Sequence, residues 1–74
     1  MEPQLTQVHT PVELGRILRV KRKEQKLTLQ DVSEHCGFSM RFISEVERGK
    51  PTAEIGKVMA LLAVVGVDLF ARSR

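Results

Sequence analysis

Aromatic residues are scarce in this sequence, which has no Trp, no Tyr and only three Phe. Its core must therefore be built from Val, Leu, Ile and Ala, which recur at helical spacings. A single cysteine, Cys36, excludes an internal disulfide and fits a reducing cytoplasm. Standing among apolar residues just before Gly37, it reads as a small buried side chain rather than a reactive thiol. The two histidines, His9 and His35, lie far apart with no metal or triad spacing around them. Enzyme activity, a metal site and a cofactor are therefore not expected. Long apolar runs are also missing. The longest, Val58 to Val67, is too short to span a bilayer. Glu2 and Pro3, with no apolar stretch behind them, argue against a signal peptide. The expectation is a cytoplasmic protein with no membrane contact.

What is present fits one small folded domain. The 74 residues leave no room for a second domain, and 42% of them are hydrophobic. So short a chain buries little, and a partner surface or self-association is expected. The net charge of +3 is unevenly spread. Arg16, Arg19, Lys21, Arg22, Lys23 and Lys26 crowd one segment and are opposed only by Glu24. Such a cluster attracts phosphates, although a solvated helix face has the same composition.

The chain divides into a flexible arm over residues 1–9, a helical domain over 10–66 and a tail over 67–74. Thr10, Pro11 and Glu13 form a helix start with a capping-box pattern, followed by an apolar stripe of Leu14, Ile17 and Leu18. Thr28 and Asp31 mark a second start, and this helix is expected to bury Val32, Ser33 and Cys36 before Gly37 ends it. Ser39 caps a third helix with Phe42, Ile43 and Val46 facing inward, and Gly49 and Pro51 stop it. Thr52 is the expected cap of a fourth helix. Ile55, Val58, Met59, Leu62 and Val65 form its expected core face, leaving Leu61 and Val64 on surplus apolar surface. Residues 67–71 read as either a short strand or a last helical turn.

Two short helices joined through Gly37, with caps eleven residues apart at Thr28 and Ser39, have the spacing of a helix-turn-helix. In that motif the second helix enters the major groove and presents its N-terminal side chains to base edges. The stretch L-T-L-Q-D-V-S-E-H-C-G-F-S-M-R-F-I-S-E-V-E-R-G, Leu27 to Gly49, resembles the Cro/C1-type (XRE) helix-turn-helix family. The following K-P-T-A and the terminal V-D-L are similar to HipB-like antitoxins.

This resemblance implies an all-α, lambda-repressor-like domain of five elements, forming a homodimer on a palindromic double-stranded DNA operator. By position it implies base reading by Ser39, Met40, Arg41 and Ser44. Arg41 is suited to gripping guanine through a bidentate pair, and Met40 to touching a thymine methyl. Lys26, Thr28, Arg48 and Lys50 fall at or near phosphate-binding positions. Arg22 and Glu47 fall where the family pairs helices 1 and 3. One departure is Leu29, which stands where members often carry Gln, with Gln30 following.

The resemblance further implies a dimer interface from Leu61, Val64, Val67, Leu69 and Phe70, with strands of two tails pairing in a small sheet. Functionally it implies a nucleoid-associated repressor of its own promoter and a HipA-like kinase toxin as partner. Two alternatives remain open at this level. One is a protein-interaction subunit with weak DNA binding, which Leu29 favours. The other is a free-standing repressor with no toxin.

Overall fold

The computed structural model describes residues 5–74. Four helices follow one another: α1 (Pro11–Glu24), α2 (Leu29–Cys36), α3 (Met40–Glu47) and α4 (Ile55–Val64). Among the described residues there is no strand. The first four residues of the expected arm lie outside this range, and residues 5–9 have irregular backbone.

Local chemistry sets the first three helix starts. The hydroxyls of Thr10, Thr28 and Ser39 accept from the backbone N–H three residues on, at Glu13, Asp31 and Phe42. Each such cap stabilises its helix by about 1 kcal/mol. At Thr28 the capping box is complete, because the Asp31 carboxylate accepts from the Thr28 N–H at 2.8 Å. At α1 the box is displaced by one residue. Glu13 accepts from the His9 N–H at 2.7 Å rather than from Thr10, which ties the end of the arm to the helix.

The helix ends are equally local. Gly37 closes α2 at φ +82°, and its N–H donates to the Ser33 carbonyl. Lys26 follows α1 at φ +58°, the one residue other than Gly at positive φ among those described. It reverses the chain so that its own N–H reaches Lys23 and the Leu27 N–H reaches Arg22.

All four helices feed one core of Leu18, Val32, Ile43, Val46, Val58, Leu61, Leu62 and Val65. Two glycines allow the chain to close around it. A Cβ on Gly15 of α1 would stand 2.4 Å from the Val46 carbonyl oxygen and 2.6 Å from that of Glu47. A Cβ on Gly49 would stand 2.6 Å from the Cα of Val12, and Gly49 also has φ +88°. The end of α3 therefore lies directly on α1.

Several expectations for the second half need correction. Thr52 is in a turn, and the residue before α4 is Glu54, which makes no side-chain cap. The inward face of α4 is Val58, Leu61, Leu62 and Val65, a run at i, i+3, i+4 and i+7. Ile55 and Met59 point outward, 64% and 51% exposed. An almost uniformly apolar helix carries no sequence contrast from which to read its phase.

Leu61 is consequently wrong as a dimer residue. It is 0% exposed within its own chain and has no surface left to share. Residues 67–71 form neither a strand nor a helical turn. Gly66 at φ +79° ends the helical path, and the Val67 N–H is already used by the Leu62 carbonyl. Ser33 and Cys36 are only half-buried. The Ser33 hydroxyl instead donates to the Phe38 carbonyl, across the turn between α2 and α3.

Candidate nucleic-acid interface

The site is built on α3, which is held on two sides. Ile43 and Val46 face the core, and α3 packs against both α1 and α2. Its opposite edge is left to solvent. Met40 is 48% exposed, Arg41 is exposed, and Ser44 and Glu45 are half-buried. Ser39 stands at the tip with its hydroxyl oxygen committed to the Phe42 N–H at 3.1 Å. Its hydroxyl proton remains available to donate. The free N–H groups and partial positive charge at this helix start also face outward, where an anion is favoured.

The residues expected to bind phosphate fall into two groups. Arg48 and Lys50 leave the end of α3. Arg48 Nε donates to the Ser44 carbonyl at 3.3 Å, and Lys50 Nζ donates to Glu45 Oε2 at 2.9 Å. Glu45 also receives Arg41, whose Nε lies 3.6 Å from Oε1. The Lys50 hydrogen bond is the main reason the Glu45 carboxyl is held below its ordinary range. Lys26 and Thr28 form the second group at the corner between α1 and α2. Both are exposed, and among the described residues no hydrogen bond or ion pair joins them to α3.

Arg22 does different work. It is 8% exposed, and its Nε and Nη2 donate to Glu47 Oε2 and Oε1 at 2.7 and 3.0 Å. Its Nη1 donates to the Leu27 carbonyl at 2.8 Å. One guanidinium thus fixes α1, the start of the α2 segment and the end of α3 together. The hydrogen bonds that Arg22 donates to Glu47 outweigh desolvation and raise the Arg22 pKa still further. With Arg22 spent internally and Lys21 3.5 Å from Glu24, the exposed remainder of the basic cluster is Arg16, Arg19, Lys23 and Lys26.

Sequence reasoning missed three supports. Gly15 sets the distance between α1 and α3. Lys57 of α4 lies 5.8 and 5.6 Å from the ring centres of Phe38 and Phe42, which meet edge-on at 5.5 Å. This cluster clamps the turn that presents α3. Gln25 donates to the Val65 carbonyl at 2.7 Å, tying the end of α1 to the end of α4. No linear pattern in the sequence announces any of the three. Among the described residues there is no cluster of His, Cys, Asp or Glu that could hold a metal, and no helix long and apolar enough to cross a membrane.

Comparison with known proteins agrees with this geometry. Residues 13–73 match the model of a helix-turn-helix domain family. A curated relative, the HTH-type transcriptional regulator y4mF of Sinorhizobium fredii, is 41% identical over 66 residues, covering 86% of this chain and 87% of that one. Among solved structures, HipB in complex with an O2 20mer superposes with a TM-score of 0.86 at 13% identity, over 95% of this chain and 97% of that one. HipB with an O4 20mer gives 0.85 at 13% identity, over 93% and 97%. The four-helix fold is thus the fold of these structures, and with a family match over most of its length the chain belongs to the Cro/C1-type (XRE) helix-turn-helix family of DNA-binding transcription regulators rather than enzymes.

Proposed function

We propose that this regulator is a sequence-specific repressor that binds a palindromic operator as a two-fold dimer and controls its own promoter. The observation that carries the reading is the outward edge of α3. Ser39, Met40 and Arg41 are exposed at the helix tip while Ile43 and Val46 anchor the other side. Arg41 and Ser44 supply base contacts, and Lys26, Thr28, Arg48 and Lys50 supply phosphate contacts. Dimerisation uses the tail, where Leu69 and Phe70 are 47% and 76% exposed, together with half-buried Val64 and Val67. A two-fold pair sets its reading helices about 34 Å apart, one turn of DNA.

The likeness to HipB supports a finer proposal, that the chain is the antitoxin of a HipA-like kinase. Ile55 and Met59, exposed on α4, give such a partner apolar surface. Gel shifts with the DNA upstream of its own gene test the repressor. Arg41→Ala with Ser44→Ala should abolish sequence preference, and retained specific affinity would reject those two residues as readers. Co-purification with the product of an adjacent kinase-like gene tests the antitoxin role. Absence of both the gene and the partner leaves a free-standing repressor.

A further inference from the structure

Among the described residues Glu45 is the one carboxylate that pairs with the charged side chains of the proposed DNA edge. A negative charge there opposes phosphate, so its presence calls for a reason. Its contacts are asymmetric. Lys50 is held tightly, by Nζ at 2.9 Å, with the Lys50 N–H also on the Glu45 carbonyl at 3.1 Å. Arg41 is approached through Nε at 3.6 Å, and its side chain is 89% exposed. Among the described residues no hydrogen bond engages either terminal nitrogen of Arg41, and these are the pair that would meet guanine O6 and N7.

We infer that Glu45 is a specificity-determining positioning residue, steadying Arg41 by its Nε edge while its charge weakens contacts of Arg41 and Lys50 with phosphate. The inference rests on the DNA-binding reading above. Binding to arbitrary DNA is almost wholly electrostatic, so a carboxylate among the phosphate-seeking cations penalises that mode most. Binding to the operator keeps the base contact that the carboxylate helps to aim. The net effect is a wider gap between the two affinities rather than a tighter complex, which is specificity obtained by disfavouring the competitor.

The test compares Glu45→Gln with the parent chain on two duplexes, one selected from a random library and one with that sequence scrambled. Affinities are read by fluorescence anisotropy across a salt series. The variant should bind the scrambled duplex up to about fivefold more tightly, the equivalent of one exposed ion pair. Its salt slope there should steepen by up to about 0.9, one further phosphate neutralised. Affinity for the selected duplex should stay level or fall, so the ratio of the two drops. Glu45→Asp should restore part of the ratio. In an Arg41→Gln, Lys50→Gln background the Glu45→Gln effect should vanish, which a general loss of negative charge would not do. An unchanged or rising ratio in a parent that discriminates, or an effect that survives that background, overturns the role of Glu45 alone. A parent that binds neither duplex overturns the DNA reading and this inference with it.

Discussion

Arg22 and Glu47, 25 residues apart in the chain, form a two-bond fork with side chains only 9% and 6% exposed. A buried pair of this kind adds little over an apolar pair of the same volume, but breaking it strands a charge. Glu47→Ala is therefore expected to cost about 3–5 kcal/mol, enough to unfold much of so small a domain. Arg22→Met with Glu47→Leu should recover most of that loss. Urea denaturation of the three chains measures it, and a double variant as unstable as the single one would show that the pair itself supplies net stability.

Gly15, inside α1, and Gly56, in the first turn of α4, should respond to alanine with opposite sign. Gly15→Ala places a methyl 2.4 Å from the Val46 carbonyl oxygen, and the crowding atoms are backbone that cannot turn aside. A gain of about 1 kcal/mol in helix propensity is outweighed, leaving a net loss of about 1–3 kcal/mol. Gly56 has nothing within 4 Å of its virtual Cβ. Gly56→Ala should raise stability, by up to about 1 kcal/mol. Thermal melts of both variants decide the matter, and a stabilised Gly15→Ala would mean that α1 and α3 are not held so closely.

Acid stability should follow the capping box of α2. The Thr28 N–H, and then its hydroxyl, favour the charged form of Asp31 and hold its pKa below the ordinary carboxylate value. The folded state therefore binds fewer protons than the unfolded chain across the acid range. The stabilisation is fully present above the unfolded carboxylate pKa of about 4 and is lost as pH falls through the lower folded value. Asp31→Asn should flatten the decline in urea midpoint between about pH 6 and about pH 2. A decline as steep as the parent's would assign the acid sensitivity elsewhere.

How much of this was legible in the sequence depended on how local each determinant is. The caps at Thr10, Thr28 and Ser39 and the turn at Gly37 act within four residues, so α1 to α3 could be read directly. The inward positions Ile43 and Val46 followed from helical spacing beside polar neighbours. In α4 that contrast fails, because apolar residues occupy nearly every position, and Leu61 was exchanged with Met59 and Ile55. Gly15 and Lys57 act across the fold, on the end of α3 and on the Phe38–Phe42 pair, and no linear pattern announces them. The Arg22–Glu47 pair became readable only through the family resemblance. Arg22 otherwise looked like one more member of a basic run.

Lys26 combines a backbone role and a proposed phosphate contact, and the two can be separated. It occupies the left-handed region at φ +58°, where a side chain costs about 1 kcal/mol and glycine costs little. Lys26→Gly removes the strain and the charge together. It should raise stability by about 0.5–1 kcal/mol, a shift of about 2–8 °C in Tm for a domain of this size. On operator DNA the same variant should bind more weakly and show a salt slope shallower by about 1. Lys26→Ala keeps the left-handed strain but loses the charge. It should leave Tm near the parent's and reproduce the shallower slope. Charge loss without a slope change in either variant would remove Lys26 from the phosphate contacts, while a Tm gain in both would show that its backbone conformation is not the source of strain.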